Sequence, residues 1–411
     1  MNNTAEILKS DKFKTAIISL AIRTRPDYID ASKNALLSKM FSVSSSVYKT
    51  KYDIVKKLDE MNGSVFDVYV IKKGYEHIIL FFMEVLCTEE SDLKEPLEFI
   101  KDIVYKPFVC DNKFDLDTFN REKNRLLNEI KAKRDRLGEY VIDKCVENMY
   151  DKKGFGIDTI GDIEAVNSIT PSNLFEYYES IMKNSPFTFI ICGNVNEDGV
   201  KNYLRENFTD VLYRDFNIED SKEKFRDKPK ECFENANIKQ GKLCIGFKTG
   251  ITLLENDIIP LMLFNEILGG NPNSRLFLNV REKEGLCYYV NSYIYKFKGV
   301  ILVQAGIDKS SYDKTLDIIK STVEEMKENI SDDELEYAKK SLIQSFNDMY
   351  DISSSLCDNI LNNIVVDRKR SIKDYIDLIE KCDKKSVMKV SEKLKLDTIY
   401  FLSAKEEGEN A

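Results

Sequence analysis

The chain has 411 residues, 43% of them hydrophobic, and a formal net charge of −9 at pH 7. This length exceeds the size at which a single hydrophobic core usually stops growing, so we expect at least two domains. The acidic balance argues against nucleic acid, whose binders concentrate positive charge on one face, and the apolar stretches are too short to span a membrane.

The first half of the chain contains predicted strands at residues 15–22 and 65–71, which are rich in apolar and β-branched side chains. A long charged helix is predicted for residues 118–136, where apolar side chains recur at helical spacing. A later helix begins at Thr170-Pro171, because a cap residue followed by proline is typical of a helix start. A short apolar strand at residues 187–192 closes this half.

Residues 214–240 are polar and charged, which predicts a linker between two domains. The first domain then covers residues 1–213 and the second covers residues 241–411. In the second domain, strands are predicted at residues 243–247, 288–295 and 300–307, followed by a helix at 333–350 and a strand at 398–402. The repeated order indicates an α+β fold of two homologous halves, each a mostly antiparallel sheet covered by helices.

The cysteine and histidine content limits which disulfides, metal sites and catalytic bases the chain can form. The nine cysteines are scattered and none forms a Cys-x-x-Cys pair, which indicates reduced thiols and a cytoplasmic protein. Residues 1–14 lack the pattern of a secretory signal. His77 is the single histidine, so a zinc site with two histidines is impossible within this chain. Because His77 leads into an apolar run, we interpret it as a structural residue rather than a catalytic base.

Two glutamates of the long charged helix have a spacing that places them on the same face of the helix. Glu122 and Glu129 lie seven residues apart, which corresponds to two helical turns. Charged residues in such a helix usually form a solvated surface, and we interpret the pair in this way from composition. The residues of the first half alone therefore indicate no catalytic chemistry.

The most informative stretch is residues 263–290, LFNEILGGNPNSRLFLNVREKEGLCYYV. One helix ends at Gly269-Gly270, and a second carries Leu276, Phe277 and Val280 inward before Gly285 permits a sharp exit into a strand. Arg281 and Tyr288 flank this turn and could offer a guanidinium and a phenol to a carbonyl or an oxyanion. The alternative is an arginine that caps a helix end and a tyrosine that packs in the sheet.

This stretch resembles the second-domain signature of the pitrilysin and mitochondrial-processing-peptidase family of zinc peptidases, Ser-Arg-Leu-Phe followed by Arg-Glu-Lys-x-Gly-Leu-x-Tyr. The resemblance implies that Arg281 and Tyr288 bind the substrate backbone and assist hydrolysis. In that family, the zinc lies in the first homologous domain of the catalytic chain.

The first half resembles the family in outline at residues 36–40, 58–64 and 154–170. The family's inverted zinc motif, His-x-x-Glu-His, falls on Ala35, Ser38 and Lys39, so both histidine ligands and the glutamate base are missing. Glu122 and Glu129 fall where active members have two glutamates, the second of which is a zinc ligand. The resemblance therefore implies no metal or other cofactor in this chain, and it makes Glu129 a relic or a helix-surface residue.

Bacterial members of this family often occur as two chains, one with the zinc motif and one with the arginine and tyrosine. The resemblance thus implies a non-catalytic, substrate-binding subunit of a heterodimeric zinc metallopeptidase that acts on peptides. Its partner would be a homologous zinc-bearing subunit, and the two would enclose a clam-shell chamber. The alternative is a pseudo-peptidase that serves as a scaffold or binds peptides without turnover. A self-sufficient metallopeptidase is disfavoured because the ligands are missing.

Overall fold

The computed structural model describes residues 5–208 and 224–404. Its strands, in chain order, are β1 Ala5–Lys9, β2 Thr15–Thr24, β3 Val65–Lys73, β4 Glu76–Leu86, β5 Val109–Cys110, β6 Lys113–Phe114, β7 Phe187–Gly193, β8 Lys230–Ala236, β9 Gly241–Lys248, β10 Cys287–Tyr295, β11 Val300–Ile307 and β12 Lys395–Ala404.

The α-helices, in chain order, are α1 Tyr28–Val43, α2 Lys51–Glu60, α3 Lys94–Tyr105, α4 Leu116–Ala132, α5 Leu137–Met149, α6 Ile163–Ser168, α7 Pro171–Asn184, α8 Glu197–Asn207, α9 Ile258–Asn265, α10 Tyr312–Glu328, α11 Asp332–Asp348, α12 Ser353–Val365, α13 Ile372–Lys381 and α14 Lys384–Ser391. Two π-helical segments, Glu266–Gly270 and Phe277–Lys283, follow α9. Short 3₁₀ turns lie at Lys133–Asp135, Gly154–Gly156, Lys309–Ser311 and Met349–Asp351.

The chain divides into two compact units, and each unit combines segments from both halves of the sequence. The first unit comprises Met1–Ala132, Lys153–Glu219 and Met349–Val365. The second unit comprises Lys133–Lys152, Asp220–Asp348 and Val366–Ala411. These units differ from the predicted contiguous halves at two helical segments, which contain α5 and α12.

The first unit is built on a five-stranded sheet with the order β1-β7-β2-β4-β3. β1 and β7 are parallel, and the other neighbouring pairs are antiparallel. In the inner strand β4, Ile78, Ile79, Leu80 and Phe81 are all buried, so side chains on both faces of the sheet are covered. Helix α1 packs against β3 and β4, while α12 packs against β7 and β2.

The second unit repeats this plan with the order β10-β11-β9-β12-β8. The pair β8 and β12 is parallel, and the other neighbouring pairs are antiparallel. Strand β10 therefore forms one edge of the sheet. Helix α5 packs against β9 and β12. The predicted α+β class, with two mostly antiparallel sheets covered by helices, is confirmed.

Each unit contains one helical segment from the other half of the sequence. Polar contacts hold both of these segments in place. In the first unit, the Nζ of Lys73 lies 2.6 Å from Asp358 Oδ1 and 2.6 Å from Asn362 Oδ1, both on α12. In the second unit, Gln304 donates a hydrogen bond to the carbonyl of Gly138 on α5, at 2.8 Å. Such contacts join residues far apart in the sequence, so local patterns could not predict them.

The predicted linker has to be shortened at its C-terminal end. Its residues 214–223 lie outside the described residues, but Lys230–Ala236 forms strand β8, which pairs in parallel with β12. Burial along β8 alternates between half-buried and exposed, as is common in an edge strand. This polar character made the strand resemble a linker in the sequence.

Candidate functional site

Helix α1 carries Ala35, Ser38 and Lys39, the three positions predicted from the resemblance to correspond to the family's zinc motif. The helix begins after Asp27, whose carboxylate accepts hydrogen bonds from the amides of Ile29 and Asp30, each at 2.9 Å. Ala35 and Ser38 are buried, and the Ser38 hydroxyl donates to the carbonyl of Ala35 at 2.9 Å. These two positions therefore contribute no imidazole and no carboxylate.

Lys39, the third motif position, forms an ion pair with Glu129 on helix α4. The Lys39 Nζ lies 2.5 Å from the Glu129 Oε2, and the lysine side chain is only 19% exposed. The resemblance predicts that active relatives have a zinc-ligating histidine and glutamate at these two positions. Here an ammonium group neutralises the carboxylate directly, so Glu129 is more than an unpartnered surface residue.

Glu122 does not lie on a solvated helix surface, which corrects the interpretation from composition. Its side chain is 3% exposed, and Oε1 accepts a hydrogen bond from the Nε of Arg121 at 3.0 Å. The guanidinium of Arg125 lies 3.7 Å from the other carboxylate oxygen. The long exposed arginine side chains compensate a carboxylate that the helix turns inward, a pairing that helical periodicity alone does not reveal.

The residues at the motif positions do not fit zinc. A zinc ligand must offer a neutral imidazole, a thiolate or a carboxylate, whereas Ala35 has no donor atom and Lys39 is a cation already paired with Glu129. Within residues 5–208 and 224–404, no group of three or more histidine, cysteine, aspartate or glutamate side chains is arranged to hold a metal ion.

His77 is a buried residue of strand β4, as its structural interpretation required. It pairs with Thr24 of β2 and Lys72 of β3 in the sheet register, and its carbonyl accepts a hydrogen bond from the Thr24 hydroxyl at 2.7 Å. Burial, together with the charge of Lys72, lowers the pKa of His77 to about 4. The imidazole is therefore neutral at physiological pH.

The two glycines before the second helix of the signature stretch allow a close approach to the edge strand. A Cβ at Gly269 would lie 2.9 Å from the backbone nitrogen of Ser292 on β10, so only glycine fits here without a shift. Gly269 lies in the segment Glu266–Gly270, which is π-helical, and the next helical segment, Phe277–Lys283, is also π-helical. π-helical turns are rare in proteins, and those that occur often lie at functional sites.

Arg281 lies in the second of these segments and points into solvent. Its side chain is 44% exposed and lies 3.9 Å from the carboxylate of Glu282, a weak pairing. Its guanidinium carbon lies 4.7 Å from the ring centroid of Phe277, one turn earlier. Phe277 was predicted to point inward, but its ring is only half-buried and also supports the arginine. The four-residue spacing between Phe277 and Arg281, about one helical turn, was the feature of the sequence from which this contact could have been predicted.

Tyr288 is presented by an irregularity in the edge strand β10. The register between β10 and β11 shifts between Cys287 and Tyr289, so Tyr288 has no partner in the ladder. It is 77% exposed, while Cys287 beside it is buried. A β-bulge re-aims a side chain in this manner, and bulges are frequent next to active sites. This exposure excludes the alternative in which Tyr288 packs in the sheet.

The turn between the two residues depends on Gly285. Its φ angle is +63°, a backbone conformation that other residues rarely adopt. Its amide donates to the carbonyl of Arg281 at 3.1 Å, which closes the helix before the strand begins. Arg281 and Tyr288 thus stand exposed on either side of a tight, glycine-dependent turn.

Among the described residues, no helix is both long and apolar enough to cross a membrane.

Comparison with known proteins agrees with these features. Residues 168–342 match the family described as "Peptidase M16 inactive domain". The chain is 28% identical to the "Probable inactive metalloprotease YmfF" of Bacillus subtilis over 409 residues, which cover 98% of this chain and 96% of that protein. It is also 24% identical to the "Uncharacterized zinc protease YmfH" of the same organism, over 71% of this chain and 69% of that protein.

Solved structures share the fold over almost the whole chain. A conserved protein from Enterococcus faecalis V583 has a TM-score of 0.91 and 25% identity, covering 98% of this chain and 97% of its own. A peptidase M16 inactive domain from Pseudomonas fluorescens has a TM-score of 0.80 and 16% identity, covering 98% and 96%. Together with the missing zinc ligands, these similarities show that the chain is a homologue of M16-family peptidases that are described as inactive.

Proposed function

We propose that this chain is the substrate-binding, non-catalytic subunit of a heterodimeric zinc metallopeptidase that acts on peptides. Its partner would be a homologous subunit with an intact zinc motif. Arg281 and Tyr288 would hold the scissile peptide at the partner's zinc site. The guanidinium and the phenol can both donate hydrogen bonds to a peptide carbonyl, or to the oxyanion that forms during attack by water.

The observation that carries this proposal is the asymmetry between the two sites. The predicted metal position holds an ion pair between Lys39 and Glu129, whereas Arg281 and Tyr288 stand exposed at a glycine turn. A protein that served only as a scaffold would not require a bulge that turns a tyrosine out of an edge strand. The preserved half of the site therefore supports a role in substrate binding.

The relatives support the existence of a partner. Bacillus subtilis has both a "Probable inactive metalloprotease", YmfF, and zinc proteases such as YmfH and YmxG that resemble this chain. An organism with both kinds of chain has the components of a two-subunit enzyme. The nine cysteines are all free, which supports assembly in a reducing compartment such as the cytoplasm.

The test combines this chain with the zinc-bearing homologue from the same organism. We expect the two to co-elute as a complex and to hydrolyse a fluorogenic peptide library at a rate that neither chain reaches alone. A complex that binds peptides without hydrolysing them would favour the scaffold alternative. A zinc-bearing homologue that is fully active alone, and unaffected by this chain, would refute the proposal.

A further inference from the structure

We infer that Phe277 is a positioning residue for Arg281, and that its ring determines the direction in which the guanidinium meets a bound peptide. This inference rests on the proposed function, because it assigns a supporting residue to the same site. Phe277 and Arg281 are four residues apart on one π-helical segment, Phe277–Lys283. The guanidinium carbon lies 4.7 Å from the ring centroid, within the range of a cation–π contact.

The surroundings of Arg281 leave the ring as its principal support. The carboxylate of Glu282 is 3.9 Å away, beyond hydrogen-bond distance, and both of these side chains are substantially exposed. An exposed arginine without a close carboxylate would sample many rotamers, and ordering it for catalysis would cost conformational entropy. The Phe277 ring reduces that cost because it holds the planar guanidinium before the substrate arrives.

The contrast with Arg275, just before this segment, shows what a structural arginine looks like in the same region. The Nε of Arg275 lies 2.6 Å from Glu334 Oε1, and its side chain is 15% exposed. The positive charge of Arg275 is thus compensated by Glu334 within the fold. Among the described residues, Arg281 is paired with the face of the Phe277 ring and with the Glu282 carboxylate at 3.9 Å, beyond hydrogen-bond distance, which leaves its N–H donors available to a ligand.

The test uses the complex with the zinc-bearing homologue and measures kcat and KM for one peptide, together with the affinity of a labelled peptide by fluorescence anisotropy. Phe277→Leu keeps an apolar side chain but removes the π face, and we expect peptide affinity and kcat/KM to fall about two- to five-fold, the factor that corresponds to an exposed cation–π contact. Phe277→Tyr, which keeps an aromatic ring, should retain the peptide affinity and the kcat/KM of the unmodified chain. Leu278→Ala, at the exposed neighbouring position, is the matched control and should change neither.

A double-mutant cycle separates positioning from a general structural role. In an Arg281→Ala background, Phe277→Leu should have no further effect, because the group that it positions is gone. If Phe277→Leu lowers activity equally with or without Arg281, or if Phe277→Tyr fails to rescue, the inference is wrong. If Phe277→Leu is silent while Arg281→Ala abolishes activity, the inference fails and the proposed function stands. If Arg281→Ala is itself silent, the proposed function fails.

Discussion

Lys39 on α1 and Glu129 on α4 form an ion pair, with 2.5 Å between the Lys39 Nζ and the Glu129 Oε2. The pair shows that residue 39 on α1 can reach residue 129 on α4, and α1 packs against α4. Helices α1 and α4 thus form a framework that brings residues 39 and 129 together.

If residues 35, 39 and 129 correspond to the family's metal ligands, this framework should bind zinc when two histidines are supplied. Ala35 and Lys39 lie four residues apart on α1, so Ala35→His with Lys39→His would present two imidazoles toward Glu129 and complete a His₂Glu ligand set. We expect the double variant to bind about one zinc ion per chain by metal analysis after dialysis. The same variant with Glu129→Gln should bind zinc more weakly. Zinc content no higher than that of the unmodified chain would show that these positions do not form a zinc site.

A buried ion pair in the first sheet should be important for stability. Both guanidinium contacts of Arg23 with Glu76 are short, at 2.7 and 2.8 Å, and both side chains are buried. Glu76→Ala would remove the carboxylate that compensates this charge, at a cost of about 3–5 kcal/mol. Glu60→Ala, at an exposed and weakly paired position, should cost about 0–1 kcal/mol. Urea unfolding followed by circular dichroism compares the two, and equal losses would contradict this assignment.

His77 should make the protein less stable in mild acid. Its pKa in the folded state is about 4, below the ordinary value of 6.5, so the unfolded chain takes up the proton first. This contribution to stability is complete above pH 6.5 and is lost as the pH falls toward 4, to a total of about 3 kcal/mol.

The variant His77→Gln isolates this effect because the chain has one histidine. Carboxylates also titrate in this range, but they are common to both proteins. The difference in unfolding free energy between the unmodified chain and the variant should therefore change between pH 7 and pH 4. A difference that stays constant over that range would show that the imidazole titrates normally.

Two glycines in the signature stretch should respond differently to alanine. A Cβ at Gly269 meets the backbone of Ser292 at 2.9 Å, so Gly269→Ala must displace strand β10, at a cost of about 1–3 kcal/mol. Gly285 has open space around it, so Gly285→Ala costs only the backbone strain of a positive φ, roughly 1 kcal/mol. Thermal unfolding should rank Gly269→Ala as the more destabilised variant. The reverse order would contradict the close approach of the helix end to β10.

Much of this architecture could be predicted because it depends on local patterns. The helix α4 and the strands β2, β9 and β11 were predicted from periodicity and composition, and the structure confirms them. Strand β4 was not assigned, since a strand buried on both faces has no polar alternation to mark it. Strand β8 was mistaken for part of a linker because edge strands tolerate polar residues.

Long-range features of the site could not be predicted from the sequence. The ion pair between Lys39 and Glu129 joins residues 90 positions apart, and nothing local indicates it. The exchange of α5 and α12 between the units has the same origin. The bulge at Tyr288 depends on the register of two paired strands, which a single strand does not reveal. In contrast, the roles of Arg281 and Tyr288 came only from resemblance to a family, and they remain a prediction.

The most direct test measures peptide hydrolysis by the reconstituted pair with one charge removed from this chain. Arg281→Ala should reduce kcat/KM by at least about 100-fold, the scale seen when an oxyanion-stabilising donor is lost. Lys283→Ala removes the same charge from the same exposed helix end and should leave the rate within a factor of about two. Unchanged hydrolysis with Arg281→Ala, in a complex that still assembles, would contradict the claim that this chain supplies part of the active site.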